Sequence, residues 1–559
     1  MKRITISVLL VLAMAFGVFQ TAPHAYAQAT NAAPGSSSPP PGVVIEPGYS
    51  TRAVITGLDF PTAFTLSRDH AWVSEAGVVP GIPPKIKEID IHGNIKTILS
   101  PADLPEGMLL PPITDVKYHN GWLWITHRQI GANGWMVGAI SKFDPKDPAG
   151  TFTTVLTNLP SSGDHFTEQV VFDQSGRAYF SQGTATNSGV VGADNWYVTG
   201  WLQQNPNFHD FAPKDILLNG SGYQTAFPFP LDPDASKTTA PYMPFGSGPV
   251  PDGTPVQGAT PATPQEGIIA GNGTVYSFDP TAADPASTLR LEGWGFRNPY
   301  GIGFDPFNPD LLFVSNNGSD YRAMQVDDEA TIVGSRPIGA EADDMFIVHP
   351  SGNEEFFGWP DYFHDEDTGQ VKPVTDPAFC SEEEFSFPCP PFVFAKSFRE
   401  SLTVQPTFSE LEEHSSANKF DFSRNGQFGF PGDIFIAETG SLPPGTGADE
   451  LVGFKVVRID RKSGETSDFI AHTEDSADVI FNPKSINKPI DVDFHGRFMF
   501  ITDFGVFEPF LGLTQPGTGK IWLVINGEFP VKTRQTVTSA SLWEQVFDLR
   551  ADSFLPIVH

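Results

Sequence analysis

The feature that most restricts this chain is a pattern of apolar alternation that occurs six times. A strand, a tight turn and a second apolar strand closing on a small or polar residue appear as "AFTLSRDHAWVSEAG" (63–77), "DVKYHNGWLWITH" (115–127) and "QVVFDQSGRAYFSQG" (169–183). The pattern returns as "IGFDPFNPDLLFVSNNG" (302–318), "KFDFSRNGQFGFPGDIFIAETG" (419–440) and "DVDFHGRFMFITDFG" (491–505). Alternation around Gly, Asn or Pro turns reads as a β-hairpin. Each hairpin is followed by a further strand, at 85–94, 139–145, 274–280, 345–353, 455–464 and 520–528. Six repeats of one hairpin-and-strand order predict an all-β fold, a six-bladed β-propeller of four-stranded antiparallel sheets around a channel. A pair of β-sandwiches would also alternate, but does not require the same order six times.

The spacing of the repeats is uneven. Long Pro/Gly-rich additions are expected at about 186–268 and 320–415 within a propeller spanning 46–530. In repeat folds such insertions lie in loops, often on the binding face, so a functional rim over the middle blades is expected. The C-terminal tail, 531–559, adds at most a short helix around "SLWEQVFDLR".

At the other end, "MKR" precedes the apolar run "ITISVLLVLAMAFGVF" and the small-residue pattern "AYA" at Ala25–Ala27. That order predicts a signal peptide over residues 1–27 and a secreted or periplasmic product. The run is short of the roughly 20 residues a spanning helix needs, so no membrane span is expected in the mature protein. Residues 28–45, rich in Ala, Pro, Ser and Gly, read as a flexible linker. Export also bears on the two cysteines, Cys380 and Cys389, which in an oxidising compartment are expected to form a disulfide. The formal net charge of −32 argues against nucleic-acid partners and anionic membrane surfaces.

Two motifs fall at the openings of middle blades. "LPSSGDHFTEQVVFD" opens the third and "GWGFRNPYGIGFDP" the fourth. An Asp-His pair before one hairpin and an Arg-Asn-Pro turn before the next resemble the soluble quinoprotein glucose dehydrogenases and the related aldose and sorbosone dehydrogenases. "SNNGSD" (315–320) and "ADDMFIVHPSGNEEFFGWPDY" (342–362) extend the resemblance across blade four.

The resemblance implies a pyrroloquinoline quinone (PQQ) cofactor, a Ca²⁺ ion, a small sugar or alcohol substrate and an external electron acceptor. It makes His165 the general base, for which imidazole suits through its pKa near neutrality. Asp164 would orient the imidazole or bind the substrate, and Arg297 would stabilise negative charge on the quinone oxygen. Asn298, Trp359, Lys484 and Lys488 would complete the cofactor site, the two lysines standing where the family has Arg. The backbone carbonyls of Gly318 and Ser319 would ligate Ca²⁺.

Two other readings stay open. One is a calcium-dependent lactonase or esterase with Glu75, Asp164, Glu438 and Asp503 converging on the ion. The other is a non-catalytic propeller that binds an extracellular carbohydrate or protein.

Overall fold

The computed structural model describes residues 39–192, 195, 201–222, 244–246, 250–320, 336, 338–339, 341–365, 368–376, 391–441, 451–473, 481–508 and 513–527, with short pieces at 30–31, 543 and 546–547. The expected signal peptide and both cysteines, Cys380 and Cys389, lie outside the described residues. No helix among the described residues is long and apolar enough to cross a membrane.

Each predicted hairpin supplies the two inner strands of a sheet, and each predicted follower the third strand. Blade one is Pro61–Leu66, His70–Glu75, Lys85–Asp90 and Ile95–Leu99. Blade two runs from Leu110–His119 through Trp122–Ile130 and Met136–Phe143 to Thr153–Pro160. The innermost strands of the other blades are Thr167–Phe172, Asn298–Asp305, Ala417–Phe422 and Pro489–His495. Each innermost strand lies beside the next and the sixth lies beside the first, so the ring is closed.

Closure uses the N-terminal part of the chain. Tyr49–Leu58 pairs antiparallel with Gly519–Asn526 and becomes the outer strand of blade six. The linker expected over 28–45 is corrected at its end: Val43–Ile45 pairs with Thr466–His472 as a fifth strand on blade five. The physical reason is that the outer edge of a sheet leaves backbone groups unpaired, and a short apolar strand satisfies them.

Six hydrophobic clusters fill the six gaps between neighbouring blades. In blade six, Phe498 and Phe500 face blade one while Met499 and Ile501 face blade five. Both faces of a blade are therefore buried, which is why second and third strands such as "FMFIT" and "IWLVI" are apolar at consecutive positions. Trp543 and Val546, from the C-terminal tail, join the cluster between blades six and one.

Around the channel the innermost strands are joined by side chains instead of a ladder. The backbone N–H groups of Phe64, Val170, Ile302 and Phe494 donate to Asp491, Asp115, Gln169 and Asp421 of the preceding blade at 2.7–3.1 Å. Tyr118 N–H donates to Thr65 Oγ1, and Ser315 Oγ donates to the Asn418 carbonyl, completing the circle. Every inner hairpin also carries a register shift near its opening end. Bulges of this kind bend a strand and re-aim its side chains, and here all six lie at the opening ends of the innermost strands.

Candidate active site

One mouth of the channel gathers the blade openings. Strand register sets Pro61 opposite Glu75, Leu110 opposite Arg128, Thr167 opposite Gln182, Asn298 opposite Asn317, Ala417 opposite Glu438 and Pro489 opposite Asp503. Residues just ahead of the innermost strands, His165 and Arg297 among them, thus share this mouth.

His165 is held by Thr184. Its backbone N–H and its Nδ1 both point at the Thr184 carbonyl, at 3.1 and 2.9 Å. A carbonyl only accepts, so Nδ1 carries the proton and Nε2 presents a lone pair, with no hydrogen-bond partner among the described residues. Thr184 N–H in turn donates to the Arg297 carbonyl at 2.9 Å, which couples blades three and four at the site. Gly183 must lack a side chain here, since a Cβ would come within 2.4 Å of His165 Cβ and 2.7 Å of Asn298 Oδ1. Burial, and then the charge of Arg297, push the imidazole down to about 3, so His165 is neutral at physiological pH.

Arg297 is 7% exposed and pairs through Nη2 with Asp320 Oδ2 at 2.6 Å. Its Nε is buried without a partner, and so is Oδ1 of the adjoining Asn298. Asn298 Nδ2 donates to Asn317 at 2.9 Å, and Asn316 Oδ1 accepts the backbone N–H groups of both Arg297 and Asn298. Asp320 also faces His414 Nδ1, at 3.4 Å. Burial alone would raise the Asp320 pKa, but Arg297 and then His414 outweigh it and hold the carboxylate at about 2. Burial opposes protonation of His414, and Asp320 overrides it, lifting the imidazole above its ordinary value.

Asp320 and His414 belong to the site although sequence reasoning assigned neither a role: Asp320 closes the "SNNGSD" run, and His414 lies in no motif read from the sequence. Arg128 of blade two is a third such residue. Its Nε donates to the Pro111 carbonyl at 2.5 Å and its guanidinium lies 5.0 Å from the Phe166 ring, next to His165. Burial lowers Arg128 to about 10. The only cue to it in sequence is the polar "THRQ" ending an otherwise apolar strand.

The structure also places the other expected site residues. The Asp164 carboxylate accepts from Asn195 Nδ2 at 2.8 and 2.7 Å and from Trp201 Nε1 at 2.7 Å, so the imidazole is oriented by the Thr184 carbonyl. Trp359 is a core residue: its indole N–H donates to the Asn187 carbonyl at 3.0 Å, and its ring meets Phe245 edge-on at 6.2 Å. Lys484 is exposed in the turn ahead of blade six. Lys488 is half-buried just before the innermost strand of that blade, its N–H bonded to Asp503 at 2.9 Å, and burial lowers its ammonium to about 8.

At the Gly318–Ser319 loop, the Gly318 N–H donates to Asp343 at 2.9 Å and the Ser319 N–H to Glu341 at 3.0 Å. The Ser319 carbonyl accepts the Glu341 N–H at 2.9 Å, so that oxygen is already shared with the backbone. "FTEQ", just after the Asp-His pair, is scaffold. Gln169 ties blade four through Ile302, and Glu168 accepts the Phe166 N–H at 2.8 Å.

The four carboxylates of the hydrolase reading do not converge. Glu75 is paired with Lys87 at 2.9 Å. Asp503 takes the backbone N–H groups of Asn487, Lys488 and Gly505, and Glu438 lies 4.0 Å from Lys455. Glu75 and Glu438 each keep one buried carboxylate oxygen without a hydrogen bond, but none of the four belongs to a group able to hold a metal among the described residues.

No protein-family model and no curated protein matches the chain. Among solved structures it is similar to the PQQ domain of pyranose dehydrogenase from Coprinopsis cinerea, with 14% identity, a TM-score of 0.50, and coverage of 87% of this chain and 98% of that one. It is also similar to a glucose dehydrogenase at 12% identity, TM-score 0.46, covering 85% and 99% of the two chains. A third is the soluble aldose sugar dehydrogenase of Escherichia coli, at 10% identity and TM-score 0.46, covering 86% and 99%. At 14% identity, the likeness to the pyranose dehydrogenase domain shows the fold alone.

Proposed function

We propose that the chain is an exported, PQQ-dependent dehydrogenase that oxidises a sugar or related alcohol. The observation that carries this reading is the set of unsatisfied polar atoms at one mouth: Nε2 of His165, Nε of Arg297 and Oδ1 of Asn298. Polar groups inside a fold are ordinarily paired, so atoms left over together at one mouth mark a place built for a polar ligand.

The residues fit a multiply charged planar anion. Arg297, Arg128, Lys488 and His414 supply positive charge from blades four, two, six and five, and Asn298 offers a neutral acceptor. The carbonyls of Gly318 and Ser319, flanked by Asp343 and Glu341, form an oxygen-rich loop suited to Ca²⁺. When bound, PQQ supplies the two-electron acceptor that takes hydride from the alcohol carbon, with Ca²⁺ polarising it.

The chain's own residues do the rest. His165 Nε2 accepts the hydroxyl proton as the carbon loses hydride, so the alcohol becomes a carbonyl and the imidazole an imidazolium. Thr184 holds the Nδ1 proton and fixes the ring throughout. A half-buried imidazole at about 3 is a weak base on its own, so anionic charge arriving at the mouth has to raise it for the transfer to proceed. Asp320 keeps Arg297 aimed.

Reconstitution of the mature protein with PQQ and Ca²⁺, followed by dye reduction across a panel of aldoses and polyols, tests this. Activity with one class of sugar is expected. Lactone hydrolysis without quinone, or PQQ binding with no turnover on any alcohol, would overturn it.

A further inference from the structure

Glu341 precedes the third strand of blade four, Ala342–Val348, and Asp344 lies within that strand. His364 comes from the insertion, on the hairpin formed by Tyr362–Asp365 and Gln370–Pro373. One ligand atom from each of the three lies within 4.8 Å of the others. Asp344 is fully buried, yet neither carboxylate oxygen accepts a hydrogen bond. His364 Nε2 sits 2.9 Å from the Gln405 carbonyl, so it carries the ring proton and leaves a lone pair on Nδ1. That lone pair faces Asp344 Oδ2 at 3.7 Å. Two electron-rich atoms confront each other in a buried place beside a second carboxylate, which is unfavourable unless a proton or a metal cation lies among them.

We propose that Glu341, Asp344 and His364 bind a divalent cation of the zinc type, which clasps the insertion hairpin onto blade four. A tetrahedral ion with ligands at about 2.1 Å holds them roughly 3.4 Å apart, close to the separation seen between His364 and Asp344. The outward N–H of His364 on a backbone carbonyl is the usual support of a ligating imidazole. A nitrogen donor with two carboxylates favours zinc over calcium or magnesium, which prefer oxygen alone. Glu341 is half-buried, leaving room for water as a fourth ligand. The site is distinct from the all-oxygen Gly318–Ser319 loop, but Glu341 joins the two by bonding both Ser319 N–H and carbonyl. A metal here would therefore stiffen the loop that carries Asp320, whether or not the protein is a dehydrogenase.

The test uses the full mature chain with calcium held constant and excess. Metal analysis is expected to find about one zinc per chain after dialysis against Zn²⁺, and a zinc-selective chelator should lower the melting temperature. Asp344→Asn should abolish zinc retention and the chelator effect and should melt lower than wild type. Glu341→Gln, a milder change at the rim, should weaken zinc binding at least about tenfold while the protein stays folded. If wild type takes up no zinc the proposal fails, and an Asp344→Asn variant that then melts higher identifies the residues as an unrelieved carboxylate against a histidine. Retention of calcium alone at these residues would overturn it equally.

Discussion

His165→Asn separates the electrostatics of the site from its chemistry. An asparagine amide can keep a donor near the position of Nδ1, and so the bond to the Thr184 carbonyl, while removing Nε2. In wild type the imidazole titrates near 6.5 when unfolded and near 3 when folded. Between those values the unfolded chain binds a proton that the folded chain refuses, so stability falls as the pH is lowered, by about 1.4 kcal/mol per pH unit. At about pH 5 the wild type has lost about 2 kcal/mol on this account, and the variant has lost nothing. Urea denaturation of both proteins without cofactor, near neutral pH and near pH 5, should show their stability difference swing by about 2 kcal/mol in favour of the variant. With PQQ and Ca²⁺ restored, the variant's dye reduction should fall about a hundred- to ten-thousand-fold, the range for loss of a general base. A stability difference that stays constant with pH would refute the burial and charge argument for His165. Undiminished turnover would refute its role as base.

Asp320→Asn removes the carboxylate between Arg297 and His414. The His414 titration, followed by NMR, should move down from its raised position, and an unchanged midpoint would show that Asp320 does not set it. Lys419 is fully buried in the channel, bonded to Asp115 at 3.0 Å and to the carbonyls of Thr62 and Thr114. Lys419→Met strands Asp115 and should cost about 3–5 kcal/mol, much of it recovered in the double variant with Asp115→Asn, as thermal or urea melts would show. Trp359→Phe should lower stability by about 1–2 kcal/mol through loss of the bond to Asn187, with PQQ affinity unchanged; a large loss of affinity instead would place the indole against the cofactor.

The sequence by itself determined the blades. Their apolar alternation is local, and a blade buried on both faces leaves an imprint in each strand, so "FMFITDFG" or "DLLFVSNNG" can be read without knowing their neighbours. It also singled out the Asp-His and Arg-Asn-Pro motifs, and the structure sets His165 and Arg297 side by side through Thr184. What only the tertiary structure decided is which polar atoms are spoken for. Asp164 looked free to orient His165, and Asn195 and Trp201 of an insertion take it instead. Asp320 and His414, 94 residues apart, meet only when blades four and five close beside each other. The strand 49–58 found its place on blade six because ring closure leaves one edge that nothing nearby in sequence can fill. Hydrogen bonds of this kind depend on distance and angle across the fold, which local periodicity does not encode.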